Sequence, residues 1–206
     1  MTREIYGGAM SGTSLDGVDV VLAAFDGADV ADGADGGRPD LLPKVLAHVY
    51  RPYPAALRDA VLAVCHGQPL TLPDLGRLDQ QIARVYVDTI RAAIARLAPS
   101  EGDVKAIGVH GQTVYHQPLG DTRFTMQIGD PNHIAVHVGV PVVADFRRRD
   151  MALGGQGAHS HPVFTNTASG TPRYPGWCAT VAASPTSPCC NRALLPMATI
   201  PGRPMC

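Results

Sequence analysis

The sequence predicts an α/β lobe. Two observations carry the prediction: short apolar runs of strand length that close on polar, glycine-bearing loops, and a long segment of helical periodicity set among them. Residues 4–9, EIYGGA, and 18–25, VDVVLAAF, read as strands, the second so continuously apolar that both its faces should be buried. Between them MSGTSLDG makes a hairpin turn, with Gly12 and Gly17 as the residues able to take positive φ. DGADVADGADGGRPD is a low-complexity Gly/Asp loop expected at the surface. KVLAHVY, residues 44–50, is a third strand, and YPAALRDAVLAVC a short helix after Pro52. From Leu72 to Leu97, the residues Leu75, Leu78, Ile82, Val85, Thr89, Ile90, Ala93, Ile94 and Leu97 follow the i, i+3, i+4 rule of an amphipathic helix. TLPD starts it, with proline in the first turn, and Pro99 lies just beyond its end. VKAIGV (104–109) is a strand running into HGQT. FTMQIG (124–129) runs into DPNHIAVHVG, a short helix with Asp130 near its start, and VPVVADF (140–146) is a last strand. Ligands of such sheets collect at strand ends, which here carry HGQT, GD and DFR.

Composition narrows the classes. A chain of 206 residues holds one or two domains, and its 45% hydrophobic content suits a globular core. A net charge of −1 gives no electrostatic footprint for nucleic acid, and no polybasic stretch addresses a membrane. MTREIYGGAM has no apolar leader core, and no run reaches about 18 apolar residues, so the expected compartment is the cytoplasm. Four of the five cysteines crowd towards the end, at Cys178, Cys189, Cys190 and Cys206, in neither a disulfide nor a metal-ligand spacing.

The motifs each admit two readings. GAMSGTSLDGVD sets Thr13, Ser14 and Asp16 between two glycines. Such a turn can aim backbone N–H groups and hydroxyls at a phosphate, or simply need Gly and Asp for its geometry. No GK[ST] follows, so it is not a Walker A loop. His110 and Gln112 can hydrogen-bond a sugar or phosphate, or be ordinary loop residues. Asp130 can hold a hydroxyl or a metal-bound water, or cap a helix. Arg147 can clamp an anion or belong to a solvated arginine run.

Taken together the blocks are specific. MSGTSLDGVDVVL, AIGVHGQTVYHQP, TMQIGDPNHIA and VPVVADFRRRDMALGGQGA, in this order, closely resemble the anhydro-N-acetylmuramic acid kinase family over residues 5–158. The resemblance implies an actin-like, sugar-kinase (ribonuclease H-like) ATPase lobe with a mixed sheet and helices, in a two-lobed enzyme that binds ATP in its cleft. It implies Mg2+ as the companion ion. It also implies a cytoplasmic enzyme that opens 1,6-anhydro-N-acetylmuramic acid with water and phosphorylates O6, giving N-acetylmuramic acid 6-phosphate during peptidoglycan recycling. Gly12, Thr13, Ser14, Leu15, Asp16, Gly17, Val18 and Asp19 match its ATP-phosphate segment. His110, Gln112, Asp130 and Arg147 match its sugar-side and cleft loops. The expected partners are the amino sugar and ATP, with a homodimer in the full-length family. An acetate-type or hexose kinase of the same superfamily is disfavoured by the HGQT and ADFRRRD blocks. The family's general base is an Asp in a later motif near GYDTGPGN, preceded by NIGGIANL, and neither is spelled here.

The reason lies in the tail. After Ala158 there is no Asp, Glu or Lys, and proline recurs every few residues. Back-translated and shifted by two bases, HSHPVF can read LAPRL, close to the family's LVPAF. GWCATVAASPTSPCC can read VVRNxGGIANLTVL, and MATIPGRPMC can read GYDTGPANV. All three fall in one frame and in the family's order. The expectation is therefore a kinase lobe over 1–158, an out-of-frame and unstructured tail over 159–206, and a C-terminal lobe missing together with the base. Such a lobe would expose apolar surface meant for its partner lobe, and it would be inactive. The alternative from another class is a non-catalytic sugar- or nucleotide-binding remnant.

Overall fold

The computed structural model describes residues 3–26 and 43–157. Most of the Gly/Asp loop and everything from Ala158 onward, including Cys178, Cys189, Cys190 and Cys206, lie outside the described residues. Strands β1 (Arg3–Met10), β2 (Gly17–Asp26) and β3 (Lys44–Pro52) form an antiparallel meander. Helices α1 (Ala55–Cys65) and α2 (Leu72–Ile94) follow. Strand β4 (Val104–Val109) then pairs parallel to β1. A separate hairpin of β5 (Gln112–Gln117) and β6 (Phe124–Ile128) leads to α3 (Pro131–Val138), β7 (Val142–Ala144) and α4 (Phe146–Ala152). The main sheet has the order β3-β2-β1-β4-β7, with β7 parallel to β4.

The core forms where the sequence periodicities meet. The stripe of α2 buries Leu78, Ile82, Val85, Tyr86, Thr89, Ile90 and Ala93 in one cluster with Ile5, Ala9, Val20, Leu22, Ile107 and Val109 of the sheet. Thr71 caps α2 by accepting the Asp74 N–H at 3.3 Å, and Asp74 and Arg91 lie at the helix ends that favour their charges. The helix stops at Ile94, before the expected Leu97. There the N–H groups of Arg96 and Leu97 turn back to the Ala93 and Ile94 carbonyls, tightening the last turn. Gly7 is a packing position: a Cβ there would come within 2.9 Å of Ile107 and Leu22.

The structure departs from the sequence expectations in three places. The hairpin turn has its positive φ at Leu15 (56°) rather than at Gly12 or Gly17. Gly17 is required instead by contact with β3, since a Cβ would lie 2.7 Å from Pro52 Cα and closer still to the Arg51 carbonyl. The last strand, expected over 140–146, shortens to 142–144. Pro141 contributes only its carbonyl, to Ile107 N–H at 2.9 Å, and Asp145 at φ 67° turns the chain into α4. HGQT is not all loop, because Gln112 opens β5.

Candidate functional site

Parallel pairing decides where the site falls. β1, β4 and β7 all finish at one edge of the sheet, with Ala9 beside Val109 and Val109 beside Ala144. Antiparallel β2 begins at that edge, with Asp19 opposite Met10. The loop 11–16, the His110–Gly111 turn and the start of α4 therefore converge there.

Within the loop, Leu15 N–H reaches the Gly12 carbonyl at 3.3 Å, and Tyr53 N–H holds the Asp16 carbonyl at 3.0 Å. Leu15, Gly17 and Val18 are buried and anchor the turn, whereas Thr13, Ser14 and Asp16 are exposed. Burying the Leu15 side chain is worth about 1.5–3 kcal/mol. That offsets the ~1–2 kcal/mol cost of a left-handed backbone at a non-glycine residue. Asp19 stands apart on β2, where its carboxylate meets His48 Nε2 at 2.9 Å.

His110 continues the β4 pairing, its N–H donating to the Ala9 carbonyl at 3.0 Å. Its ring is fixed from both sides. Nδ1 lies 2.8 Å from the Gly111 carbonyl and must donate to it, and Nε2 accepts from Arg147 Nε at 2.8 Å. Both bonds need the neutral Nδ1–H tautomer. Burial, then the Arg147 charge, lower the His110 pKa below 6.5, against the opposing pull of the Gly111 carbonyl. His116 on β5 is lowered by the same two causes, and its Nδ1 pairs with Thr125 Oγ1 at 3.2 Å.

Gln112 is 0% exposed, which places it beneath the loop. Its amide nitrogen donates to the carbonyls of Gly12 (3.4 Å) and Thr113 (3.2 Å), and its oxygen accepts from Tyr53 OH at 3.4 Å. Asp130 caps α3, accepting Asn132 N–H at 2.9 Å and Gln80 Nε2 at 3.0 Å. Burial pushes its pKa up, but the hydrogen bonds from Gln80, Asn132 and the His133 N–H outweigh this and hold it below 3.8. The loop, His110, Gln112 and Arg147 thus come together. Asp130 joins them only through its neighbour, since a Cβ on Gly129 would sit 3.8 Å from Gly111 Cα.

Sequence reasoning passed over Ser11, Tyr53, Tyr86 and His116. Ser11 and His116 lay inside recognised blocks, whereas Tyr53 and Tyr86 lay outside them. A groove of about 360 Å³ between α1 and α2, lined by Val64, Gln68, Leu70, Asp74, Arg77 and Gln81 among others, includes none of the residues of the strand-end edge.

The loop could take a polyphosphate: Gly12 lacks a Cβ, and the exposed hydroxyls of Thr13 and Ser14 follow it. Among the described residues no group of three His, Cys, Asp or Glu could hold a metal ion unaided. Mg2+ binds through one or two carboxylates plus phosphate oxygens and water, and Asp16 is the exposed carboxylate of the loop. No helix of the described residues is long and apolar enough to cross a membrane.

A five-stranded mixed sheet whose meander is followed by parallel strands, with a hydroxyl-rich first hairpin at the strand-end edge, is that of a lobe of the sugar-kinase and ATPase class. The model of the anhydro-N-acetylmuramic acid kinase family matches residues 4–174. With most of its length matched, the chain belongs to that family. The match takes in all four motif blocks and runs on past Ala158 before it ends.

Proposed function

We propose that the strand-end edge is the phosphate side of an ATP site, in a kinase that opens 1,6-anhydro-N-acetylmuramic acid and phosphorylates its O6 in the cytoplasm. The observation supporting it most is the convergence of the exposed Gly12–Asp16 turn with His110 and Arg147 at one sheet edge, in a chain of this family. Bound Mg2+ would neutralise phosphate charge. The chain's own residues have narrower tasks. Gly12, Thr13 and Ser14 supply N–H and hydroxyl donors to phosphate oxygens. Arg147 brings a permanent positive charge to the same edge, and His110, held neutral, orients that guanidinium while leaving its charge uncancelled. Asp130, ionised and engaged, positions the GD turn.

The general base is a different matter. In the frame as written, no Asp or Glu follows residue 158. We propose that the base lies in the shifted frame, and that this chain as written does not turn over. Resequencing the DNA across the codons for Gly154 to Ser169 tests the frame. A base gained or lost restores the Asp motif, while an unchanged read means that the organism carries a damaged gene. A second reading rests on the same edge being built wholly by residues before 158: the lobe persists as a sugar- or nucleotide-binding module without catalysis. Calorimetric titration with Mg·ATP and with the anhydro sugar separates the two, since a surviving module binds stoichiometrically and a broken lobe does not.

A further inference from the structure

Tyr86 is 0% exposed in the apolar stripe of α2, where a phenylalanine would pack as well. Its hydroxyl is therefore the feature to explain, because a buried hydroxyl is tolerated only when bonded. It lies 3.0 Å from Ser11 Oγ, which is 3% exposed. Ser11 Oγ is 3.2 Å from the Gly111 carbonyl and can only donate to it. Ser11 has a single proton, so Tyr86 donates to Ser11 and Ser11 donates to Gly111. The same carbonyl receives His110 Nδ1, and His110 Nε2 receives Arg147 Nε. Every proton in this chain is assigned: Tyr86 to Ser11, Ser11 to Gly111, His110 to Gly111, Arg147 to His110. Ser11 is the residue at which β1 gives way to the loop, so its hydroxyl fixes where the loop leaves the sheet.

We propose that Tyr86 is a positioning residue: acting through Ser11, it sets the Gly12–Asp16 loop against the His110–Arg147 pair, so that the loop and the arginine present to one polyanion. The arrangement deepens the ATP-site reading and rests on it for its purpose, though its geometry does not depend on it.

The test is Tyr86→Phe in the whole 206-residue chain, which keeps the ring and removes only the hydroxyl. Amide hydrogen exchange is followed by NMR at Leu15 and Tyr53, whose N–H groups close the loop, and at Ile107, which bonds Pro141 elsewhere. Loss of one buried hydrogen bond should speed Leu15 and Tyr53 about five- to tenfold relative to Ile107. Ser11→Ala should do at least as much, and because the Tyr86 hydroxyl also meets the backbone N–H groups of Ser11 and Gly111, adding Tyr86→Phe to it should add less than Tyr86→Phe does alone. Equal acceleration at all three amides, or additive effects of the two substitutions, overturns the proposal. Titration with Mg·ADP supplies the functional readout. Where the parent chain binds, Tyr86→Phe should weaken binding several-fold at a temperature where both chains are fully folded, and equal affinity overturns the positioning role. A parent chain that binds no ADP is the result the frame-damaged reading expects, and the exchange comparison then decides the inference alone.

Discussion

Gly17 and Gly76 show how differently one residue type can be used. Gly17 sits where β2 meets β3, and a Cβ would run into the backbone of Arg51 and Pro52. Gly76, on the exposed side of α2, would place a Cβ in open space. Gly17→Ala should therefore destabilise the fold by about 2–3 kcal/mol, as overpacking does where the obstacle is backbone. Gly76→Ala should stabilise it by about 0.5–1 kcal/mol through helix propensity. Urea unfolding of both variants checks the contrast, and a similar effect at the two positions would refute it. Both glycines were visible in the sequence, but the demand on Gly17 was not, because Arg51 reaches it only through sheet pairing. Acid sensitivity also belongs to single residues. His110 and His116 have pKa values lowered by burial and by Arg147, so the unfolded chain binds more protons than the folded one below pH 6.5. Their contribution to stability is complete above that pH and declines as pH falls towards the folded values. His116→Asn should flatten the loss of stability measured between pH 7 and pH 5; an unchanged slope would count against this account.

Elements were legible in proportion to their length and periodicity. The stripe of α2, the meander strands and α3 behind Asp130 all follow from pattern and capping chemistry. β5 was missed because QTVYHQ buries only Gln112 and Val114 fully and its polar partners read as loop. α4 was missed because FRRRD looks like a solvated charge run, and its start depends on Asp145 adopting φ 67°. One contact that seats α4, beside the buried Met151, is Phe146, whose Cζ would lie 3.4 Å from a Cβ on Gly108. Phe146→Ala should cost about 2 kcal/mol, below a fully buried truncation because the ring is half-exposed. It should also speed exchange at the Leu153 and Gly154 amides, which close the helix end. Stability loss without that local change would place the anchor of α4 elsewhere.

At the scale of the whole molecule, the site is a consequence of topology. Parallel β1, β4 and β7 bring three loops to one edge, and the hydroxyl-rich turn is the one that joins β1 to the antiparallel start of β2. The blocks that carry those loops could be read from the sequence as one family. In the polar layer beneath them Gln112 was read from its block, but Ser11, Tyr53 and Tyr86 were not, because the bonds that join them span 75 residues from Ser11 to Tyr86 and 100 from Ser11 to Gly111. Val136, Val143 and Leu153 remain more than half exposed on α3, β7 and the end of α4. Our account links these features to a kinase whose base is spelled in another frame. The most direct measurement is ADP release with 1,6-anhydro-N-acetylmuramic acid and Mg·ATP, for the chain as written and for the chain with its frame restored after Ala158. The account predicts no turnover above a blank for the first and clear turnover for the second. Turnover by the chain as written would contradict it.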